Sequence, residues 1–192
     1  MGLGYGGSGQ AAMSDRMMRA ARLDPQVYEE LEHDLTATGQ ALTVVVVVAV
    51  ASGIGHALGE ILGGHPGAAL GGFIAGIVTA LLGWAVWSFL AYIIGTKLFG
   101  GIATYGELLR TIAFAQSPGV LNILNFIPIL GGLLSLVVGL WILAATIIAM
   151  RQALDFDTTK AVLTAIVGFF AYIILAAILV APFAALFAVG RM

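Results

Sequence analysis

Four stretches of the chain carry no Asp, Glu, Lys or Arg: residues 35–59, 61–96, 111–150 and 161–190. A helix needs about 20 apolar residues to cross the hydrocarbon of a bilayer, so each stretch is long enough. Residues 111–150 would extend roughly 60 Å as one helix, about two bilayer cores, and must therefore fold back. Pro128 with Gly131 and Gly132 supplies the turn. The pattern predicts an all-α, polytopic transmembrane helical bundle of about five spans, over residues 41–60, 69–95, 108–127, 130–150 and 158–189. Strict apolar–polar alternation is absent, which argues against a barrel, and in lipid a helix satisfies each backbone amide within its own segment.

The polar ends carry start and stop signals. Residues 1–22, rich in Gly and small side chains over MGLGYGGSGQAAMS, read as a flexible cytosolic tail. That tail is too polar for a cleaved secretory signal and lacks the Ser or Thr of a myristoylation site. Asp24 before Pro25 is an N-cap followed by a first-turn proline. Val27, Tyr28, Leu31 and Leu35 then recur on one face with Glu29, Glu30 and Glu32 opposite, so residues 23–40 hold a cytosolic amphipathic helix against the membrane-proximal end of the bundle. Thr104 and Glu107 have capping-box spacing, and Asp157 is an N-cap for the last span. Gly72 and Gly76 stand at GxxxG spacing, which lets a neighbouring helix approach closely.

Composition agrees: 60% of residues are hydrophobic and 9% charged, against roughly 25% charged in a soluble domain. Five spans would place Arg16, Arg19, Arg22, Lys97, Arg110, Arg151 and Lys160 on one side and Arg191 alone on the other. Because Lys and Arg resist translocation, the first side is the cytoplasm, with the N-terminus cytoplasmic and the C-terminus outside. A net charge of −2 without a basic stripe excludes nucleic acid as a partner, and the absence of Cys excludes disulfides and thiolate metal sites.

Candidate chemistry is sparse. Ser52 and His56 share a helical face, but no nucleophile-elbow motif surrounds them and no third residue orients the histidine, so no catalytic residues and no enzyme activity are expected. His56, Glu60 and His65 are weak metal candidates whose spread over a Gly-rich turn fits no standard ligand spacing, so no metal or other cofactor is expected. Gln116, Ser117, Asn122 and Asn125, around Pro118, are the densest polar set inside any uncharged stretch. They either hydrogen-bond between helices and lock the bundle or line a solute path. Arg110, Arg151 and Lys160 gather at the cytoplasmic boundary, where they would contact lipid headgroups or partner proteins. Trp84, Trp87 and Trp141 lie well inside their spans and read as packing residues.

The order of LDPQVYEELEHD before the first span, GELLRTIAFAQSPGVL into the third and GLWILAATIIAMRQALDFDTTKAV resembles the Yip family, the Ypt/Rab-interacting membrane proteins, in its short prokaryotic form. The resemblance covers roughly residues 23–188 and makes residues 41–190 a Yip-like transmembrane domain. It implies five helices with a cytosolic N-terminus. Eukaryotic relatives are associated with Rab GTPases, membrane shaping and vesicle traffic; their DLYGP-type motif has no counterpart ahead of Leu42. The function expected is membrane organisation or scaffolding in the cell membrane, with a small oligomeric transporter or channel as the alternative. The partners expected are the lipid bilayer and unidentified membrane or cytosolic proteins, with homo-oligomers among the arrangements.

Overall fold

In the computed structural model, backbone conformation is described for residues 8–189 and side-chain surroundings for residues 13–178. Among the described residues the elements are all helical: α1 (Ser8–Ala21), α2 (Pro25–His33), α3 (Ala37–Leu62), α4 (Pro66–Leu98), α5 (Tyr105–Ala115), a 3-10 helix (Ser117–Leu124), α6 (Leu130–Ala153) and α7 (Thr158–Val189). Helices α3, α4, α6 and α7 are long and apolar enough to cross a membrane. The 26 residues of α3 extend about 39 Å, against about 30 Å of hydrocarbon. Leu70, Leu82, Leu133 and Phe170 point outward from these helices. Such a surface is costly in water and at ease in lipid, so the chain is a multi-pass integral membrane protein.

The third apolar segment is not the single helix expected over residues 108–127. Helix α5 stops at Ala115, eight residues follow as a 3-10 helix, and a turn leads into α6. Pro118 causes the break, since its ring has no N–H to donate and clashes with the preceding turn. The Ser117 hydroxyl donates to the Phe114 carbonyl at 2.6 Å, satisfying an acceptor that the ended helix leaves free. The broken segment runs beside α3 in the same direction. A Cβ at Gly119 would stand 2.6 Å from Val48, one at Gly55 would fall on the Asn122 carbonyl, and Gly59 faces Phe126. Gly55 and Gly119 therefore let the two backbones touch.

The buried core is built from small residues and a few large ones. Tyr28, Leu31, Ala41, Val44, Ala113, Phe114, Ala145 and Ala149 join α2, α3, α5 and α6, while Leu108, Ile112, Met150, Leu154 and Ala165 bring in α7. Alanines at helix contacts allow the close packing that replaces a hydrophobic driving force inside lipid. Gly72 and Gly76, by contrast, have no atom of the described residues within 4 Å of a built Cβ, so among the described residues their GxxxG spacing serves no helix contact.

Residues 8–34 form a folded cap packed against α5, the 3-10 helix and α6, toward the end of the bundle where α5 begins. Where composition predicts a flexible tail, α1 is helical from Ser8, with Met13, Met17 and Ala20 facing the core; Met1–Gly7 lie outside the described residues. The i, i+4, i+7 spacing of these three side chains is the signal that the Gly-rich composition hides. Trp141 also does more than pack: its indole N–H donates to the Ala21 carbonyl at 2.7 Å and closes the end of α1. Arg19 bridges Asp24 at 2.8 Å and grips both Glu30 oxygens at 2.9 and 2.8 Å, while Arg16 meets Asp34 at 2.7 Å. The Arg19 guanidinium holds the Asp24 carboxyl below its ordinary range, and Asp34 is lowered by the Thr36 hydroxyl and then by Arg16.

The same end collects the other charged connections. The Thr104 side chain accepts from the Glu107 N–H at 3.3 Å and Glu107 accepts from the Thr104 N–H at 2.8 Å, which starts α5 as the capping-box spacing predicts. Asp157 accepts from the Lys160 N–H at 3.0 Å and starts α7. The Ile102 N–H donates to the Leu154 carbonyl at 3.1 Å, joining the α4–α5 connection to the α6–α7 connection beneath α2.

Candidate functional site

Two places gather the polar residues singled out above. The first is a cleft of about 830 Å³ between α3, α4 and the broken third segment. Ser52, His56 and Glu60 line it from one face of α3, because residues four apart on a helix point the same way. Gly72, Gly76, Thr79, Ala80 and Gly83 form the α4 wall. Gly72 and Gly76 thus add no side chain to the cleft wall. Gln116 and Asn122 reach it from the third segment, Ile142 from α6 and Tyr172 from α7. Trp84 also lines the cleft, its indole fixed by donating to the Leu109 carbonyl at 3.0 Å.

The amides do not lock the bundle by pairing with one another. Among the described residues the buried Oδ1 atoms of Asn122 and Asn125 have no hydrogen-bond partner, and only Asn122 of the two lines the cleft. An unpaired amide oxygen inside a membrane costs a few kcal/mol unless a ligand or water satisfies it. Ser117 spends its hydroxyl on Phe114 and stays buried away from the cleft. The cleft therefore offers hydroxyl, imidazole, carboxylate and amide groups along one side and small apolar residues along the other. Chemically this suits a polar solute or the headgroup of an amphiphile.

Among the described residues no hydrogen bond joins Ser52 to His56, and both line the cleft. His65 Nδ1 lies 3.9 Å from Glu60 Oε2, with both side chains well exposed, while His56 faces the cleft. Among the described residues these three do not form a three-ligand cluster.

The second place is the junction of cap and bundle. Arg110, read from sequence as a headgroup or partner contact, is 3% exposed and turned inward. Its Nε donates to the Leu31 carbonyl at 2.8 Å and its Nη2 donates to the Glu32 carbonyl. These acceptors lie in the last turn of α2, where intrahelical partners run out and the helix dipole favours a cation. The sequence marks Arg110 only as a cation near the boundary, and its target 78 or 79 residues away leaves no local signal. Arg151 and Lys160 do remain toward the surface, Arg151 donating to Gln152 at 3.1 Å and to Thr158 at 3.5 Å.

No sequence signal marks Glu32 as buried, since the amphipathic pattern puts it with Glu29 and Glu30 on the solvent face. It is 8% exposed, and burial followed by the charge of Asp155 pushes its carboxyl up to about 7. Tyr28 beside it donates its hydroxyl to the Ala20 carbonyl at 3.1 Å, and burial raises its pKa also.

Neither the curated proteins nor the solved structures give a significant match to this chain. A family model described as the Yip1 domain matches residues 23–186, from the turn before α2 almost to the end of α7. The match takes in the α2 docking face, Arg110 and the cleft together. With that coverage, the chain belongs to the Yip1 domain family.

Proposed function

We propose that this protein is a non-enzymatic organiser of the prokaryotic cytoplasmic membrane, a scaffold whose cytosolic cap engages partner proteins while its helices hold it in the bilayer. In this reading the chain crosses the bilayer five times. Helix α5 and the 3-10 helix contribute about 16 Å each, together about one hydrocarbon thickness; the end of α5 packs with Ala41, Val44 and Val45 of α3, and the 3-10 helix follows α3 from Val48 to Gly55. Of the 8 Lys and Arg residues, all except Arg191, which lies outside the described residues, belong to the cap, to connections at its end or to the helix turns beside them. The cap is accordingly cytoplasmic.

The observation that carries the proposal is the Arg110 clamp. A cation from the segment entering the bilayer is committed to the end of α2, so cap and bundle are joined by more than the connecting chain. A scaffold needs that coupling; a tethered tail would not. Crosslinking from exposed Glu30 or Lys160 in native membranes, with wild type and Arg110→Met compared, tests it. The expected result is a defined set of crosslinked proteins that is lost in the variant. Identical crosslinking patterns in both would remove the support.

The cleft favours a second reading, an oligomeric transporter or channel with the third segment on the path. Gln116 and Asn122 line the cleft, and Asn122 keeps an unpaired oxygen. In liposomes the organiser reading expects no solute flux above empty vesicles. Flux that Asn122→Ala abolishes would transfer the assignment to transport.

A further inference from the structure

Glu29, Glu32 and His33 occupy positions i, i+3 and i+4 of α2, which brings them onto one side of the helix. One potential ligand atom from each lies within 4.8 Å of the other two. Tetrahedral coordination at about 2.1 Å separates ligand atoms by roughly 3.4 Å, so modest side-chain rotation would close the set on an ion. Acidic clusters are common, and this one would mean little alone. Its distinguishing member is Glu32, which is 8% exposed with an Oε2 that finds no hydrogen-bond partner among the described residues. A buried, unpaired carboxylate oxygen calls for a cation or a proton.

The nearby cation does not answer that need. Arg110 donates to the backbone carbonyls of Leu31 and Glu32. Its Nε and Nη2 are thereby committed to the helix end. His33 is prepared for ligation instead. Its Nδ1 lies 3.0 Å from the Glu29 carbonyl, which can only accept, so Nδ1 carries the proton and, in the neutral ring, Nε2 presents a lone pair. Metal-bound histidines are commonly oriented by such a backbone contact on the other ring nitrogen. Glu29 is tied to α6 by Gln152, whose Nε2 donates to it at 3.4 Å. Asp155 on the α6–α7 connection and Glu107 at the start of α5 add negative charge around the group, and the one imidazole beside it is His33 itself.

We propose that Glu29, Glu32 and His33 form a binding site for one divalent transition-metal ion of the Zn²⁺ or Mn²⁺ class, placed where the cytosolic cap meets the α6–α7 connection. Two carboxylates and an imidazole suit such ions better than Mg²⁺, which keeps its water shell and prefers oxygen. The ion would neutralise the buried Glu32 and hold α2 in place beside α6.

The test uses untagged full-length protein in detergent, stripped with chelator and titrated with Zn²⁺ or Mn²⁺. Elemental analysis after desalting, calorimetry and, for Mn²⁺, paramagnetic resonance provide the readouts. One ion per chain is expected from at least one of the two metals, undisturbed by a hundredfold excess of Mg²⁺. Glu32→Gln and His33→Gln should each weaken binding at least tenfold while elution on size exclusion stays unchanged. Glu30→Gln and the double change His56→Gln with His65→Gln should leave binding intact. Binding of neither metal, affinity unmoved by Glu32→Gln and His33→Gln, or loss through the His56 and His65 changes instead would each overturn the proposal.

Discussion

Replacing Arg110 by methionine keeps an unbranched apolar stem of similar reach and removes only the guanidinium. Two acceptors at the end of α2, the Leu31 and Glu32 carbonyls, then lose their donor while staying buried. Hydrogen bonds to a charged group contribute about 1.5–3 kcal/mol each, which puts the pair at about 3–6 kcal/mol. The lower end applies, because deletion also removes the cost of keeping an unpaired guanidinium out of water. A loss of about 3 kcal/mol in docking corresponds to roughly a hundredfold more frequent opening of α2. Amide hydrogen exchange of the protein in nanodiscs reads this directly, as faster exchange over residues 25–34 with little change in α6. Arg110→Lys, offering a compact ammonium in place of a planar fork, should recover part of the protection. Exchange over α2 unchanged within threefold in Arg110→Met would refute the idea that this residue holds the cap to the bundle.

Three other outcomes follow from the packing and charge. Gly55→Ala places a methyl on the Asn122 carbonyl and should destabilise the bundle by about 1–3 kcal/mol, seen as a lower midpoint of thermal unfolding in detergent. Gly76→Ala, which meets open space, should leave that midpoint within a degree or so of wild type, and equal effects of the two would contradict the close approach. Burial raises Glu32 to about 7 from an ordinary 4.5, so its contribution to cap stability is present in full below pH 4.5 and lost as pH rises through about 7. With chelator present, exchange protection of α2, corrected for intrinsic rates, should fall between pH 6 and pH 8 in wild type and fall less in Glu32→Gln; a rise with pH would contradict this. Thr104→Ala breaks the capping box and should cost about 1 kcal/mol, fraying the first turn of α5, while an unaltered exchange rate at Gly106 and Glu107 would count against the cap.

The long uncharged stretches made the membrane-crossing helices legible, since their cost in water is a property of composition and length alone. The local starts were legible for a similar reason: Asp24, the Thr104–Glu107 pair and Asp157 act on amides two or three residues away. The interruption at Pro118 was visible as a residue, but its consequence, a change to 3-10 winding with α3 pressed against it, depends on Gly55 being opposite. Long-range polar contacts were not legible. Arg110 and Trp141 look like a boundary cation and a packing aromatic until the backbone they reach, far off in sequence, is brought to them. Glu32 misled because amphipathic reading assigns a charged residue to water, whereas α5 and the α6–α7 connection bury it here. The cleft was half legible: Ser52, His56 and Glu60 share a face by spacing, but that Gln116 and Asn122 oppose them is a property of the fold.

We propose that the chain threads the membrane five times with its cap in the cytoplasm, the broken third segment included. The chain has no Cys, so single cysteines placed at His65, Ile129, Lys97 and Thr159 report sidedness in intact cells without background. With a membrane-impermeant maleimide, His65→Cys and Ile129→Cys should label from outside, and Lys97→Cys and Thr159→Cys only after permeabilisation. Labelling of His65→Cys and Ile129→Cys from opposite sides would show that the third segment does not cross, and the topology argued here would fail.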